Sequence, residues 1–230
     1  MATILITGAN RGLGLGLVQQ YLAQGHHVLA THRPGSSTEG WKGPAKNASG
    51  QLTPVALDLQ DDLSIEQCAQ GLKAVGPIDI MINNAGTTNH QPLGSWTRAA
   101  FIDSYQSNAV GPALLIQALR DNLAQGARVI QLSSGLASIA ENIGADGPFE
   151  EYAMSKVALN LLTHRLAHKL AERGIITAAI SPGWVKTDMG GNDAPTSVEQ
   201  AAQAIAQTIE QLQLEQSGGF FDSEGAPIRW

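Results

Sequence analysis

Short, largely apolar runs alternate with longer helical patterns from one end of this chain to the other. That alternation limits what it can fold into. Thr3–Thr7, His27–Thr31, Thr53–Leu57, Ile78–Asn83, Arg128–Ser133 and Ile176–Ser181 have strand length, and Gly219–Asp222 could be a seventh strand. Helical patterns lie between them at about Gly12–Ala23, Leu63–Ala74, Thr97–Asn122 and Tyr152–Arg173, the last stopped by Gly174 in a C-cap position. Ser197-Val198-Glu199-Gln200 looks like a capping box that opens a further helix to about Leu214. Solidly apolar strands are expected when helices cover both faces of a sheet. The pattern predicts an α/β fold, a doubly wound parallel sheet with helices on both faces. No repeat, low-complexity tract or linker divides residues 1–230, so one domain is expected. Pro34–Gly50, rich in Gly, Ser, Lys and Pro, reads as an exposed loop.

Composition narrows the function classes. Lys plus Arg is 14 against 20 for Asp plus Glu, a net charge of −6 with no basic block, so nucleic-acid or acidic-membrane binding has no electrostatic support. Cys68 is the only cysteine, which removes internal disulfides and Cys-based metal sites and suits a reducing, cytoplasmic setting. The first residues have no basic n-region and break early at Gly8, and no apolar run approaches membrane-spanning length. The Asn47-Ala48-Ser49 sequon reads as incidental.

The first strand runs into Thr7-Gly8-Ala9-Asn10-Arg11-Gly12-Leu13-Gly14. Glycines at 8, 12 and 14 let the backbone turn tightly and approach a ligand closely. The helix that follows presents free N–H groups and a favourable dipole to a pyrophosphate. In the first strand–turn–helix unit of an α/β chain, this points to a dinucleotide, although the spacing is Gly-x-x-x-Gly-x-Gly. The second strand ends in Thr31-His32-Arg33, without the acid that would accept a ribose 2′-hydroxyl. Arg33 and Arg11 could instead pair with a 2′-phosphate, which favours NADP(H).

Tyr152 and Lys156 stand at i and i+4, on one face of a helix. A tyrosine hydroxyl titrates near ~10, and an adjacent ammonium favours the phenolate. Such a pair could pass a proton to or from an alcohol or carbonyl oxygen. His164 and His168 are also i, i+4, but no third metal ligand is evident, and no metal site is expected.

In combination and order, Thr7-Gly8-x-x-x-Gly12-x-Gly14, Asn83-Asn84-Ala85-Gly86, Asn108, Ser134, Tyr152-x-x-x-Lys156 and Pro182-Gly183 resemble the short-chain dehydrogenase/reductase family. Pro182-Gly183-Trp184-Val185-Lys186-Thr187-Asp188-Met189 and the Trp230 ending are similar to the carbonyl-reductase and C-factor-like subgroup. The resemblance implies a Rossmann-type sheet in strand order 3-2-1-4-5-6-7. It implies that Asn108, Ser134, Tyr152 and Lys156 are catalytic. Tyr152 would be the proton donor in reduction, and Lys156 would bind the nicotinamide ribose. Ser134 would bind the substrate oxygen, and Asn108 would hold a water linking Lys156 to solvent. Besides Tyr152 and Lys156, it implies NADP(H) contacts from Gly8, Asn10, Arg11, Gly12, Leu13, Gly14, Arg33, Asp58, Leu59, Asn84, Ala85, Gly86, Pro182, Gly183, Val185 and Thr187. Thr187 as a mere helix cap is the alternative for that residue.

The expected activity is NADPH-dependent reduction of a small aldehyde, ketone or quinone. A signalling or regulatory protein of the same fold and an NAD-dependent alcohol dehydrogenase are the alternatives. Eighteen positions separate Ser134 from Tyr152, more than the family's common spacing, and Ser138 lies nearer to it. Ser134 is favoured because it follows the fifth strand directly. Phe149, Trp184, Met189 and Trp230 are candidate lining for an apolar pocket, with core or surface packing the equal alternative. The short loop from Thr187 to Thr196 suggests an open site. A homodimer or homotetramer could form through the helices near Asn108–Asn122 and Tyr152–Arg173, and the residues inserted before Tyr152 leave a monomer open.

Overall fold

The computed structural model describes residues 1–43 and 48–230, so Asn47 of the sequon lies outside the described residues. Seven strands form one parallel sheet in the order β3-β2-β1-β4-β5-β6-β7, as expected. They are β1 Thr3–Ile6, β2 His27–His32, β3 Gln51–Ala56, β4 Ile78–Asn83, β5 Leu123–Leu132, β6 Ile176–Ile180 and β7 Gly219–Phe221. The α-helices that frame the sheet among the described residues are α1 Gly12–Ala23, α2 Asp62–Leu72, α3 Arg98–Tyr105, α4 Gly111–Leu119, α5 Glu150–Leu170 and α6 Val198–Gln211. No described helix is long and apolar enough to cross a membrane.

The apolar runs have the burial their composition demands. Successive strand side chains point to opposite faces. Ile4 and Ile6 of β1 join Leu17, Val18 and Tyr21 of α1 and Ile205 and Ile209 of α6 in one core cluster. Leu5, between them, packs with Ile65 and Leu72 of α2 and Leu115 and Leu119 of α4 on the other face. Each fully buried Leu or Ile contributes about 1.5–3 kcal/mol relative to exposure. Pro54 sits inside β3, where it lacks a ladder donor, but β3 is an edge strand that, among the described residues, pairs with β2 alone.

The boundaries depart from the sequence pattern at two informative places. β5 begins at Leu123, not Arg128, and its register with β4 shifts between Ile78 and Ile80. The stretch Thr97–Asn122 is helical from Arg98 onward, as expected, but not uniformly α. A π-helical turn at Gln106–Val110 separates α3 from α4 and carries Asn108. Such π turns often occur at functional sites. The capping box is present in both halves: Ser197 Oγ accepts from Gln200 N, and Gln200 Oε1 accepts from Ser197 N.

The reading of Pro34–Gly50 as an exposed loop needs correction at Trp41. That side chain is only 3% exposed, belongs to the α1–α6 core cluster and donates from Nε1 to Ala9 O at 2.9 Å. A tryptophan in a polar segment supplies enough apolar area to pin it. Trp41→Ala should therefore destabilise the protein by about 3–5 kcal/mol in urea unfolding. A loss below about 1 kcal/mol would contradict this anchor.

Candidate active site

The carboxyl ends of β1 and β4 lie side by side at the point where strand order reverses, the usual place for a ligand crevice in an open α/β sheet. Their ends are cross-linked. Thr7 Oγ1 accepts from both Asn84 N and Ala85 N at 3.0 Å, and Asn84 Nδ2 donates to Thr7 O at 2.8 Å and Gly8 O at 3.0 Å. Gly8 and Gly12 have φ of 60° and 51°, a region that favours glycine. A Cβ on Gly14 would stand 2.2 Å from Gly8 O and 2.6 Å from Asn84 Nδ2, so this turn leaves no room for a side chain.

Helix α1 leaves its N-terminus open. Arg11 at the N-cap makes no side-chain capping bond, and the first turn holds no acid. The first N–H groups and the positive end of the dipole therefore suit an anion. Thr187 faces this turn: its Cγ2 would lie 3.4 Å from a Cβ on Gly12. Thr187 caps no helix, since its Oγ1 accepts from Gly190 N inside a turn. Val185 pairs with Thr196 in an isolated bridge, and Gly183 has φ of 76° after Pro182.

Arg11 and Arg33 both lie on the surface, each beside a carboxylate. Arg11 Nη1 meets Asp188 Oδ2 at 2.8 Å, and Arg33 Nε lies 3.6 Å from Asp58 Oδ2. Exposed pairs of this kind contribute at most about 1 kcal/mol and can be exchanged for a stronger anion. Asp58 does not initiate α2; Asp61 does, accepting from Leu63 N. Asn10 donates to Ser37 O at 3.0 Å and ties the Trp41 segment to the glycine turn. Leu59 packs against Gly111, whose missing Cβ would sit 2.6 Å from Leu59 Cβ. Leu13 packs at the edge of the α1–α6 core, and Ala85 lies against Gly8.

Helix α5 carries Tyr152 and Lys156 beneath the end of β5. Lys156 is 2% exposed, donates to Leu132 O at 2.7 Å and stands 5.5 Å from the centre of the Tyr152 ring. Burial holds its pKa down at about 8. Burial also pushes the Tyr152 phenol up to about 12, with the Ser134 side chain working in the opposite direction. The sequence argument expected the ammonium to lower the phenol's pKa. In this structure desolvation is the largest influence on the phenol, and the Ser134 hydrogen bond opposes it.

Asn108 is fully buried and all its amide groups are engaged. Its Oδ1 accepts from Thr87 N, and its Nδ2 donates to Thr87 O and Ser155 Oγ. Ser155 in turn donates to Tyr152 O at 2.6 Å. Gly86 lies against this group, since a Cβ there would stand 3.1 Å from Asn108 Oδ1 and 3.5 Å from Lys156 Nζ. The two serines separate clearly. Ser138 is buried and committed, donating to Arg229 O at 2.6 Å and accepting from Glu141 N at 3.1 Å. Ser134 caps a short turn through Leu136 N and faces Tyr152.

Of the four aromatic or sulfur-bearing candidates, Trp184 and Met189 are exposed on the loop after β6. Phe149 immediately precedes α5. The carbonyl of Trp230 accepts from Ala140 N at 2.9 Å, in the loop that follows Ser134. Its ring stacks on Phe220 and meets the His164 ring, three turns of α5, about 18 Å, beyond Tyr152. His164 Nδ1 also lies 3.2 Å from Gly218 O, and no group of three potential metal ligands occurs among the described residues. Thr7 stands in the glycine motif but its role in tying the two strand ends was not read from it, and Trp41, Glu151 and Ser155 were missed. Of these three, only Trp41, an aromatic in a polar segment, gave a visible signal.

Comparison with known proteins agrees with this arrangement. Residues 2–198 match the family model described as short chain dehydrogenase. C-signal of Myxococcus xanthus is 37% identical over 158 residues, which cover 67% of this chain and 94% of that protein. The NADPH-bound carbonyl reductase from chicken fatty liver has a TM-score of 0.93 at 31% identity, covering 100% of this chain and 99% of that one. The carbonyl reductase Sniffer of D. melanogaster has a TM-score of 0.92 at 33% identity, with 100% of both chains covered.

The buried Lys156 gives stability a defined pH dependence. Its folded pKa, about 8, lies below the unfolded value near ~10.4, so its charge opposes folding at neutral pH. That penalty is relieved as pH rises between these values. Lys156→Met should stabilise the protein at pH ~7 by about 1–3 kcal/mol, with the advantage shrinking toward pH ~10. Denaturant unfolding across this range checks it; a Met variant less stable at neutral pH would contradict the burial argument.

Proposed function

We propose that this chain, which belongs to the short-chain dehydrogenase family of oxidoreductases, reduces a small aldehyde, ketone or quinone with NADPH, and that Tyr152 supplies the proton. The observation that carries this reading is geometric: Tyr152 faces Ser134, and the buried Lys156 ammonium stands 5.5 Å from the centre of its ring. A cytoplasmic location and one domain over residues 1–230 go with the same reading.

The residues present fit a nicotinamide dinucleotide. The uncapped end of α1 and the side-chain-free turn at Gly8, Gly12 and Gly14 suit a pyrophosphate, with Asn10, Leu13, Asn84, Ala85 and Gly86 around it. Asp58 and Leu59 would border the adenine, and Arg11 and Arg33 would hold a 2′-phosphate by exchanging their present carboxylate partners. Pro182, Gly183, Val185 and Thr187 would hold the nicotinamide end. When bound, the cofactor supplies the hydride that the carbonyl carbon accepts.

The chain's own residues then have distinct tasks. Ser134 donates a hydrogen bond to the substrate oxygen as negative charge develops there. Tyr152 transfers its phenolic proton to that oxygen. Lys156 binds ribose hydroxyls and, when charged, favours the phenolate left behind. Asn108 positions the group, because its side chain is spent on Thr87 and Ser155; any water linking Lys156 to solvent would rely on other atoms nearby.

A second reading is a cofactor-binding protein of the same fold that signals with little turnover. The similarity to the protein named C-signal favours it. Purified protein assayed with NADPH and a panel of aldehydes, ketones and quinones separates the two readings, since cofactor binding with no turnover supports the second.

Two outcomes are expected if the reductase reading is right. Tyr152→Phe should bind NADPH as before yet lose most turnover, and Ser134→Ala should lower kcat by about 10²-fold. Ser138→Ala should instead cost about 1–3 kcal/mol of stability with a smaller change in kcat. Substantial reduction by Tyr152→Phe, or a larger kcat loss in Ser138→Ala, would sink these assignments. NADPH should bind at least ~10-fold tighter than NADH, a difference of about 1.4 kcal/mol. Arg33→Asp should erase that preference in a fluorescence titration, and an unchanged ratio would refute the role of Arg33.

A further inference from the structure

Glu151, the residue before Tyr152, is 1% exposed. A buried carboxylate needs hydrogen-bond donors. One oxygen of this one finds them in the segment after β4, while Oε2 is buried with no partner among the described residues. Its Oε1 accepts from Asn89 N at 2.7 Å, from His90 N at 3.2 Å and from Thr88 Oγ1 at 3.3 Å. Immediately upstream, Asn108 holds both Thr87 N and Thr87 O. Two side chains therefore hold the whole of residues 87–90.

The segment is shaped as well as held. His90 has φ of 50°, a left-handed conformation that a non-glycine residue keeps only when its surroundings enforce it. Its ring meets Phe149, three positions before Tyr152, edge-on with centroids 5.2 Å apart. Just before this segment, Gly86 lies against Lys156 Nζ. The chain thus passes from Lys156, along Asn108, to an aromatic pair at the start of the Tyr152 helix.

We propose that Glu151 is a positioning residue: it fixes Thr88–His90 as one wall of the substrate cleft, with His90 and Phe149 forming the face that a planar carbonyl compound meets. The assignment rests on the reductase reading for its kinetic consequence, but the clamp itself can be observed without turnover. Three donors converge on one oxygen, so the role requires an acceptor at that place and not a negative charge. Glutamine can supply that acceptor, whereas alanine cannot.

The test compares full-length wild type with Glu151→Ala and Glu151→Gln by amide hydrogen exchange and by menadione reduction with NADPH. In Glu151→Ala, exchange over residues 88–90 should accelerate at least ~10-fold and KM for menadione should rise at least ~5-fold, while kcat and the NADPH Kd stay within about 2-fold. Glu151→Gln should restore both exchange and KM. If the alanine variant does not fold, Glu151→Asp, one methylene too short to keep all three bonds, carries the same prediction at smaller amplitude. Unchanged exchange would overturn the clamp. Faster exchange with unchanged KM would overturn the substrate wall, and so would a joint loss of kcat, KM and NADPH affinity that glutamine does not rescue. A wild-type protein that reduces no carbonyl compound overturns the reductase reading and the wall with it, while accelerated exchange in the alanine variant still supports the clamp.

Discussion

The amide of Asn84 joins the ends of two strands, and the candidate site is built around that junction. It donates to Thr7 O and Gly8 O, while Thr7 Oγ1 receives Asn84 N and Ala85 N in return. These bonds satisfy backbone groups that the parallel ladder leaves over at the end of β1. They also fix the glycine turn against the segment leading to Asn108 and Lys156. The anion-binding end of α1 and the Tyr152 helix are thereby referred to one rigid point. Lengthening or removing Asn84 would separate the two halves of the site even though Asn84 touches neither Tyr152 nor Ser134 in the hydrogen-bond network.

Much of the fold was legible because periodicity reports burial directly. Ile4-Leu5-Ile6 is apolar throughout, and the structure buries it on both faces. The seven strand segments, the strand order and the capping box at Ser197 follow from that pattern, from turn chemistry and from the family resemblance. The π turn at Asn108 could not be read in the same way, since its cause is tertiary: the Asn108 amide is drawn onto Thr87, a residue twenty-one positions away. Trp41 escaped for the opposite reason. Its neighbours are polar, and a single aromatic side chain outweighs them only once α1 is there to receive it.

The candidate residues were legible by type and spacing, but their electrostatics were not. Spacing alone puts Tyr152 and Lys156 on one face and suggests an ammonium beside a phenol. The structure adds that both are desolvated, and desolvation disfavours the charged form of each. At neutral pH Lys156, with a pKa of about 8, remains mostly charged beside a protonated phenol. Ser134 and Ser138 could not be separated by counting residues. They separate at once when Ser138 is found holding Arg229 O and Glu141 N, at the foot of the C-terminal segment.

The central claim is that Tyr152 rests as a protonated donor because burial outweighs the Ser134 hydrogen bond that lowers its pKa. Ultraviolet difference titration of the phenolate band, wild type minus Tyr152→Phe, isolates this hydroxyl from Tyr21 and Tyr105. The account predicts that in the cofactor-free protein the Tyr152 signal appears only well above pH ~10, the ordinary tyrosine value, and toward about 12. A phenolate signal that develops below pH ~9 would contradict it, because the ammonium would then dominate and the resting residue would be a base.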